Sequence, residues 1–121
     1  MDSEAIKCIY VAEHIRMPNL VKIGRSKNMK KRVSVLNTSL PEDFDVVMVY
    51  KTDSYVELEK LVVKKLIDEK LHEGSRLTKE FFKCDVEHVR QVIDQVVDAD
   101  ASLRGVYLDD EMIRNLLRRT R

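Results

Sequence analysis

The chain has 121 residues, of which 44% are hydrophobic and 36% are charged. This length suits one compact domain, because domains commonly contain about 100 to 150 residues, and the hydrophobic fraction excludes a wholly disordered chain. The formal net charge of +1 excludes a strongly polycationic or polyanionic protein, so any nucleic-acid surface must be a local one.

Three apolar segments in the first half of the chain predict β-strands. They cover residues 6–12, 20–24 and 44–50, and polar or turn-forming residues bound each of them. Met17, Pro18 and Asn19 lie between the first two segments and have the chemistry of a tight turn. The first two strands are therefore expected to form an antiparallel hairpin.

Two helices are predicted around the third strand. Asn28 is expected to cap a helix that runs to about residue 38, because apolar residues recur there on one side. Ser54 or Asp53 is expected to cap a longer helix that runs to about residue 71.

Two further helices are predicted in the second half of the chain. Asp85 should cap the first of them, in which the apolar residues follow helical spacing without a gap. That stripe consists of Val89, Val92, Ile93, Val96 and Val97. A last short helix, over about residues 108–117, follows a polar stretch and ends in arginines.

These elements predict an α/β (α+β) fold with a small, three-stranded, mainly antiparallel sheet. The helices that begin at Asn28, Ser54 and Asp85 should flank the sheet, and the C-terminal helix should extend it. We expect a domain over residues 5–97, followed at 98–121 by a polar linker and an amphipathic helix. The apolar stripe of that helix should pack on the domain or on a second copy of the chain, so a homodimer is one expectation.

A cluster of basic residues begins on the second predicted strand and contains no acidic residue. Its members are Lys22, Arg25, Lys27, Lys30, Lys31 and Arg32. Such a cluster can be a solvated helix face or a strip that faces phosphate groups, and the absence of any acid favours the second interpretation.

The cysteines and the ends of the chain bear on its location. Cys8 and Cys84 are far apart and lack the paired spacing of a zinc or redox site, so they are expected to be buried free thiols. Residues 1–7 are too polar for a signal peptide, and no segment approaches the roughly 20 apolar residues of a membrane span. We expect an intracellular protein of the cytoplasm or nucleus, without a membrane partner.

The order strand, turn, strand, glycine and basic helix resembles the core of the GIY-YIG nuclease superfamily. Cys8-Ile9-Tyr10 and Lys22-Ile23-Gly24 correspond to its two signature tripeptides, and residues 25–32 are similar to the segment that follows them. Residues 74–82, which run from a glycine loop into Glu-Phe-Phe, resemble the T5orf172 subfamily, whose members commonly also have Lys-Ile-Gly. The resemblance implies a GIY-YIG-like fold and a T5orf172-like nuclease domain.

The resemblance also implies a catalytic site. Tyr10 would activate or orient the attacking water, Arg32 would bind the scissile phosphate, and Glu80 would hold Mg²⁺ or Mn²⁺. A tyrosine needs neighbouring positive charge to accept a proton near neutral pH, and Lys22 or the metal would supply that charge. Arg25, Lys27, Lys30 and Lys31 would contact DNA, which makes DNA the expected partner.

Three functions follow as hypotheses. The first is a metal-dependent DNA endonuclease, and the others are a nucleic-acid-binding module of the same fold without turnover and a protein-interaction domain. A histidine that often follows a Leu-Glu pair in the subfamily falls here at Val63, after Leu58-Glu59, and this departure favours the binding module. His14, His72 and His88 have no metal-ligand spacing, although His72 lies near the glycine loop. The resemblance suggests a phage or large DNA virus as source, which would place the protein in a host cell.

Overall fold

The computed structural model describes residues 5–32, 44–73 and 81–118, which form one antiparallel sheet with helices on both faces. The strands are β1 Cys8–His14, β2 Val21–Ser26, β3 Phe44–Lys51, β4 His72–Glu73, β5 Phe81–Phe82 and β6 Val106–Tyr107. Their order across the sheet is β4-β5-β2-β1-β3-β6, and each neighbouring pair is antiparallel.

The expected α/β class is confirmed, but the expected number of three strands is wrong. The three predicted strands are present as β1, β2 and β3, and the backbone amide of Leu20 donates to the carbonyl oxygen of Met17 (3.2 Å) in the predicted hairpin turn. The additional strands β4, β5 and β6 contain two residues each. Two residues cannot display the alternation of apolar and polar side chains by which a strand is recognised.

Four helices accompany the sheet within the described residues. Helix α1 begins at residue 29 and is described to residue 32, so its predicted end lies outside the described residues. The others are α2 Tyr55–Asp68, α3 Val86–Ala99 and α4 Asp110–Arg118.

The helix caps agree with expectation at two of three positions. Asn28 caps α1, because its Oδ1 accepts from the amide of Lys31 (3.3 Å), and Asp85 caps α3 by accepting from the amide of His88 (2.8 Å). Ser54 precedes α2 without a side-chain cap, and its hydroxyl instead donates to the carbonyl oxygen of Ser102 (3.1 Å).

The two faces of the sheet pack against different elements. On one, the α2–α3 face, side chains of the three long strands meet α2 and α3; its buried residues include Ile9, Val11, Val21, Ile23, Met48, Tyr50, Leu58, Val62, Val89, Val92 and Ile93. On the other, the α4 face, the cluster consists of Cys8, Tyr10, Ala12, Met29, Phe44, Val46, Val49, Ile113 and Leu116. Successive strand residues point to opposite faces, so this division fixes where each neighbouring side chain lies.

A bulge in β3 lets that strand supply apolar side chains to both faces. Val11 pairs with Met48 and Ala12 with Val46, so the register shifts and Val47 has no partner in β1. The extra residue changes which positions point to which face. Val46 and Val49 consequently share the α4 face although they are three residues apart.

The C-terminal segment belongs to the same sheet. Residues 101–103 form a short 3-10 helix, and β6 pairs with β3. Two polar side chains hold the segment: the Tyr50 hydroxyl accepts from the amide of Gly105 (2.7 Å), and the Thr52 hydroxyl donates to the carbonyl oxygen of Leu103 (3.1 Å). These bonds hold residues 101–107 at the edge of the sheet.

Helix α4 packs along β3 on its own domain. Ile113 and Leu116 are buried there, and Met112 remains 52% exposed. Both cysteines are free and buried, as expected, and burial raises the pKa of Cys8 to about 12 and that of Cys84 to about 11. Among the described helices, none has the length and apolarity that crossing a membrane requires.

Candidate nucleic-acid site

The centre of the α4 face contains a buried tyrosine–lysine pair. Tyr10 is 1% exposed and Lys22 is 8% exposed. The Lys22 Nζ donates to the Tyr10 hydroxyl oxygen at 3.3 Å and lies 5.3 Å from the centre of the tyrosine ring. A buried ammonium needs such partners to offset the loss of water.

Gly24 provides the space in which Tyr10 lies. The two residues are direct partners across β1 and β2, and a Cβ at position 24 would lie 2.4 Å from both the Cζ and the hydroxyl oxygen of Tyr10. Such a separation is far below van der Waals contact, so any side chain at position 24 would displace the ring. The absent side chain therefore allows the Tyr10 ring to extend across β2.

Arg32 lies on the first turn of α1. Its backbone amide donates to the carbonyl oxygen of Asn28 (3.0 Å). Residues three apart lie on the same side of a helix, so Arg32 lies on the side of α1 that carries Met29. Met29 is buried in the same cluster as Tyr10. Its Nε is buried and has no hydrogen-bond partner among the parts of the chain that the structure describes. A buried donor of this kind fits a ligand that brings an acceptor.

The structure separates Arg25 from this group. Arg25 pairs with Ile9 across the hairpin, on the α2–α3 face, and its Nη1 contacts the Oε1 of Glu59 in α2 at 2.8 Å. The basic residues that form one cluster in the sequence thus divide between two faces of the sheet. Lys22 and Arg32 lie on one face and Arg25 lies on the other.

The remaining lysines of the cluster surround the start of α1. Lys27 and Lys31 are exposed, and Lys30 is half-buried. Charges in this position could approach the phosphates of a nucleic acid that is bound at Arg32. They stay predicted DNA contacts.

The predicted metal ligand, Glu80, lies outside the described residues, together with the glycine loop of residues 74–79. Among residues 5–32, 44–73 and 81–118, no group of three or more His, Cys, Asp or Glu side chains could hold a metal ion. Tyr10, Lys22 and Arg32 are a phenol, an ammonium and a guanidinium, a set that fits an anion better than a cation. A metal at this site would therefore depend on Glu80.

Two positions considered for the site lie across the sheet from Tyr10. Val63, where the resembling subfamily often has histidine, packs against the cluster on the α2–α3 face. His72 pairs with Phe82 on that face, with 5.7 Å between their rings. The valine at position 63 is therefore accounted for by core packing, and neither residue is brought to Tyr10.

Sequence reasoning missed the role of His14. Its Nδ1 accepts hydrogen bonds from the backbone amides of Arg16 and Met17, both at 3.0 Å, in the β1–β2 turn. The available signal was a histidine immediately before a proline-containing turn. A search for metal-ligand spacing could not find it, because the partners are backbone amides.

Comparison with known protein families gives a match over most of the chain. The T5orf172 domain profile matches residues 7–97, which span β1 through most of α3. That domain is nuclease-related and GIY-YIG-like. No match was found among curated proteins or among solved structures. Since the profile covers most of the chain, the protein belongs to the T5orf172 domain family.

Proposed function

We propose that the protein is a metal-dependent DNA endonuclease whose site lies on the α4 face. The observation that carries the proposal is the buried Tyr10–Lys22 pair on the same face as Arg32, whose buried Nε has no hydrogen-bond partner among the described residues, in a domain of a nuclease-related family. These groups combine positive charge with a hydroxyl that can exchange a proton. Phosphodiester hydrolysis requires both.

Arg32 and Lys22 hold the scissile phosphate in this proposal. A guanidinium presents several N–H groups in one plane and remains charged at any working pH, which suits it to phosphate oxygens. The unpaired Nε would find its acceptor there. Such contacts supply affinity without reading sequence, so binding should weaken as salt increases.

Tyr10 orients the attacking water and, acting as the phenolate, accepts its proton. The Tyr10 hydroxyl first gives its own proton to solvent, and the Lys22 ammonium, which donates to the Tyr10 oxygen, stabilises the negative charge of the phenolate until it takes the proton of the water. A positioned general base typically accelerates a reaction by about 10²- to 10⁴-fold. A divalent cation held by Glu80, when bound, would stabilise charge on the leaving oxygen.

The test is the nicking of supercoiled plasmid with Mg²⁺ or Mn²⁺. We expect the wild type to cut, and we expect Glu80→Ala to abolish cutting and Tyr10→Phe to slow it by about 10²-fold or more. Tyr107→Phe is the matched control, because it removes the same hydroxyl from a tyrosine on the α2–α3 face and should leave the rate unchanged. Equal cutting by wild type and Glu80→Ala would overturn the metal assignment.

A second candidate is a DNA-binding module of the same fold without turnover. The burial of Tyr10 favours it, since a hydroxyl that is enclosed and already hydrogen-bonded is poorly placed to meet a water. The same assay separates the two functions. A wild type that never cuts but retards DNA on a gel in a salt-dependent manner would establish the binding module.

A further inference from the structure

The turn between β1 and β2, residues 15–19, holds apolar side chains in solvent. Ile15 is 57% exposed and Met17 is 52% exposed, and Pro18 beside them is exposed as well. Single exposed apolar residues are ordinary on protein surfaces, but three within four consecutive positions form a patch.

The backbone of this turn is held by hydrogen bonds at both ends. The amide of His14 donates to the carbonyl oxygen of Leu20 (3.0 Å), and that of Leu20 donates to Met17 (3.2 Å). Inside the turn, the His14 Nδ1 accepts from the amides of Arg16 and Met17. The His14 and Phe44 rings are nearly perpendicular, with 5.0 Å between their centres. The apolar side chains therefore project from a preorganised support, which reduces the entropy lost on binding.

A groove beside the turn carries positive charge. It has a volume of about 540 Å³ and is lined by Arg16, Met17, Pro18, Asn19, Leu20 and Lys83. Two of these residues are cationic and none is acidic. The patch thus combines apolar projections with positive charge, which complements the bases and phosphates of a nucleic acid.

The turn is also continuous with the proposed cutting site. β1 leads directly from Tyr10 to the turn, and β2 leads back from it through Lys22. Five residues separate Tyr10 from Ile15, which at about 3.3 Å per residue is roughly 16 Å. Nucleotides in duplex DNA are spaced by about 3.4 Å, so the turn lies about five nucleotide steps from a phosphate at Tyr10.

We propose that the β1–β2 turn is a wedge that inserts Ile15 and Met17 between stacked bases of the bound DNA. The proposal rests on the function proposed for the α4 face and adds a contact that bends or opens the duplex beside the cutting site. Insertion of an apolar side chain unstacks a base step and bends the duplex, so that more protein surface meets the DNA. Arg16 and Lys83 hold the phosphates on either side.

The experiment measures metal-free binding to a short duplex that carries 2-aminopurine at alternate adenine positions. Fluorescence anisotropy gives the affinity at several salt concentrations, and 2-aminopurine brightens when its base is unstacked. We expect wild type to brighten the probe. The double variant Ile15→Ser/Met17→Ser should bind about tenfold more weakly and should not brighten it. The salt dependence should be unchanged, because apolar contacts release no counterions.

Two controls separate a wedge from a general loss of apolar surface. Ile67→Ser removes an exposed apolar side chain, 38% exposed, from α2 on the side of the sheet opposite the proposed DNA site, and should behave as wild type. Met17→Leu keeps the apolar projection and should retain both affinity and fluorescence. All these side chains are exposed, so circular dichroism should show unaltered folding.

Equal affinity and equal brightening for wild type and the double variant would overturn the wedge while leaving DNA binding by the α4 face intact. A turn that served a protein partner would give that result. Failure of the wild type to bind DNA at low salt would instead overturn the proposed function, and the wedge with it.

Discussion

The two faces of the sheet differ in what they bury. The α2–α3 face is packed with aliphatic and aromatic side chains from the three long strands and two amphipathic helices. The α4 face buries a smaller apolar cluster together with a lysine, a tyrosine hydroxyl and an arginine nitrogen that has no partner among the described residues. Buried polar groups cost free energy unless they are paired, so this face is the less favourable one for stability and the one on which we place the proposed site.

The largest expected change is in the free energy of unfolding, on substitution of a residue of the α2–α3 face. Leu58 is fully buried between α2 and the sheet. Leu58→Ala should lower the free energy of unfolding by about 2–5 kcal/mol, through lost burial and the cavity left behind. Urea unfolding measures the change. DNA affinity per folded molecule should stay as in wild type, and a parallel loss of affinity would break the division between a structural face and a binding face.

On the α4 face, Arg32→Gln should act on binding instead of stability. Loss of a charged hydrogen bond to phosphate costs about 1.5–3 kcal/mol, which corresponds to roughly 10- to 100-fold in Kd. The slope of log K against log salt should fall by about 1. Arg104→Gln, at an exposed arginine before β6, is the matched control and should change neither quantity. An equal loss in both variants would assign binding to net charge alone.

Gly24→Ala should lower both the folding stability of the protein and the rate of cutting that we propose for the α4 face. Its Cβ would displace the Tyr10 ring, and crowding of this kind costs about 1–3 kcal/mol. We expect lower stability together with slower cutting, because the hydroxyl moves with the ring. In a Tyr10→Leu background the same substitution should cost much less, and a double-mutant cycle of unfolding free energies measures this coupling. Additive costs would show that Gly24 is required by something other than Tyr10.

The smallest predicted effect concerns Tyr107, at the edge of the packed face. Its hydroxyl donates to the Asp94 Oδ1 at 2.7 Å, and burial, followed by Asp94, raises its pKa above the ordinary value of 10.0. Tyr107→Phe should cost about 1 kcal/mol at neutral pH.

The sign of the pH dependence follows from the raised pKa. Below pH 10 the hydroxyl is protonated in both states, and its contribution is fully present. At higher pH the unfolded chain loses the proton first, so wild type loses stability relative to the variant. Unfolding measured at neutral and alkaline pH checks this. A difference that widened above pH 10 would contradict the assignment.

Sequence reasoning predicted the long elements because their signals are local. The stripe from Val89 to Val97 and the capping residues Asn28 and Asp85 need no tertiary context, and each was found in place. The bulge at Val47 could not be predicted, because residues 44–50 are almost uniformly apolar and alternation reveals nothing there. The edge strands are too short for any periodic signal.

In the candidate site, too, local sequence signals predict some features, and contacts between distant residues determine the others. Tyr10 and Lys22 could be associated through the two tripeptides, and the structure places them in contact. The position of Arg25 on the opposite face could have been read from strand alternation, because it is three residues from Lys22. Its partner Glu59 is 34 residues away in sequence, so the ion pair itself could not be predicted. Glu80 stays a prediction.

DNA binding by the α4 face can be tested most directly by following backbone amide signals in an NMR titration with a short duplex, without divalent metal. If the α4 face binds DNA, the amide signals of Lys22, Gly24 and Arg32 should shift and those of α3 should stay unchanged. Shifts confined to α2 and α3, with those three amides unmoved, would contradict binding by the α4 face and place the binding surface on the opposite face.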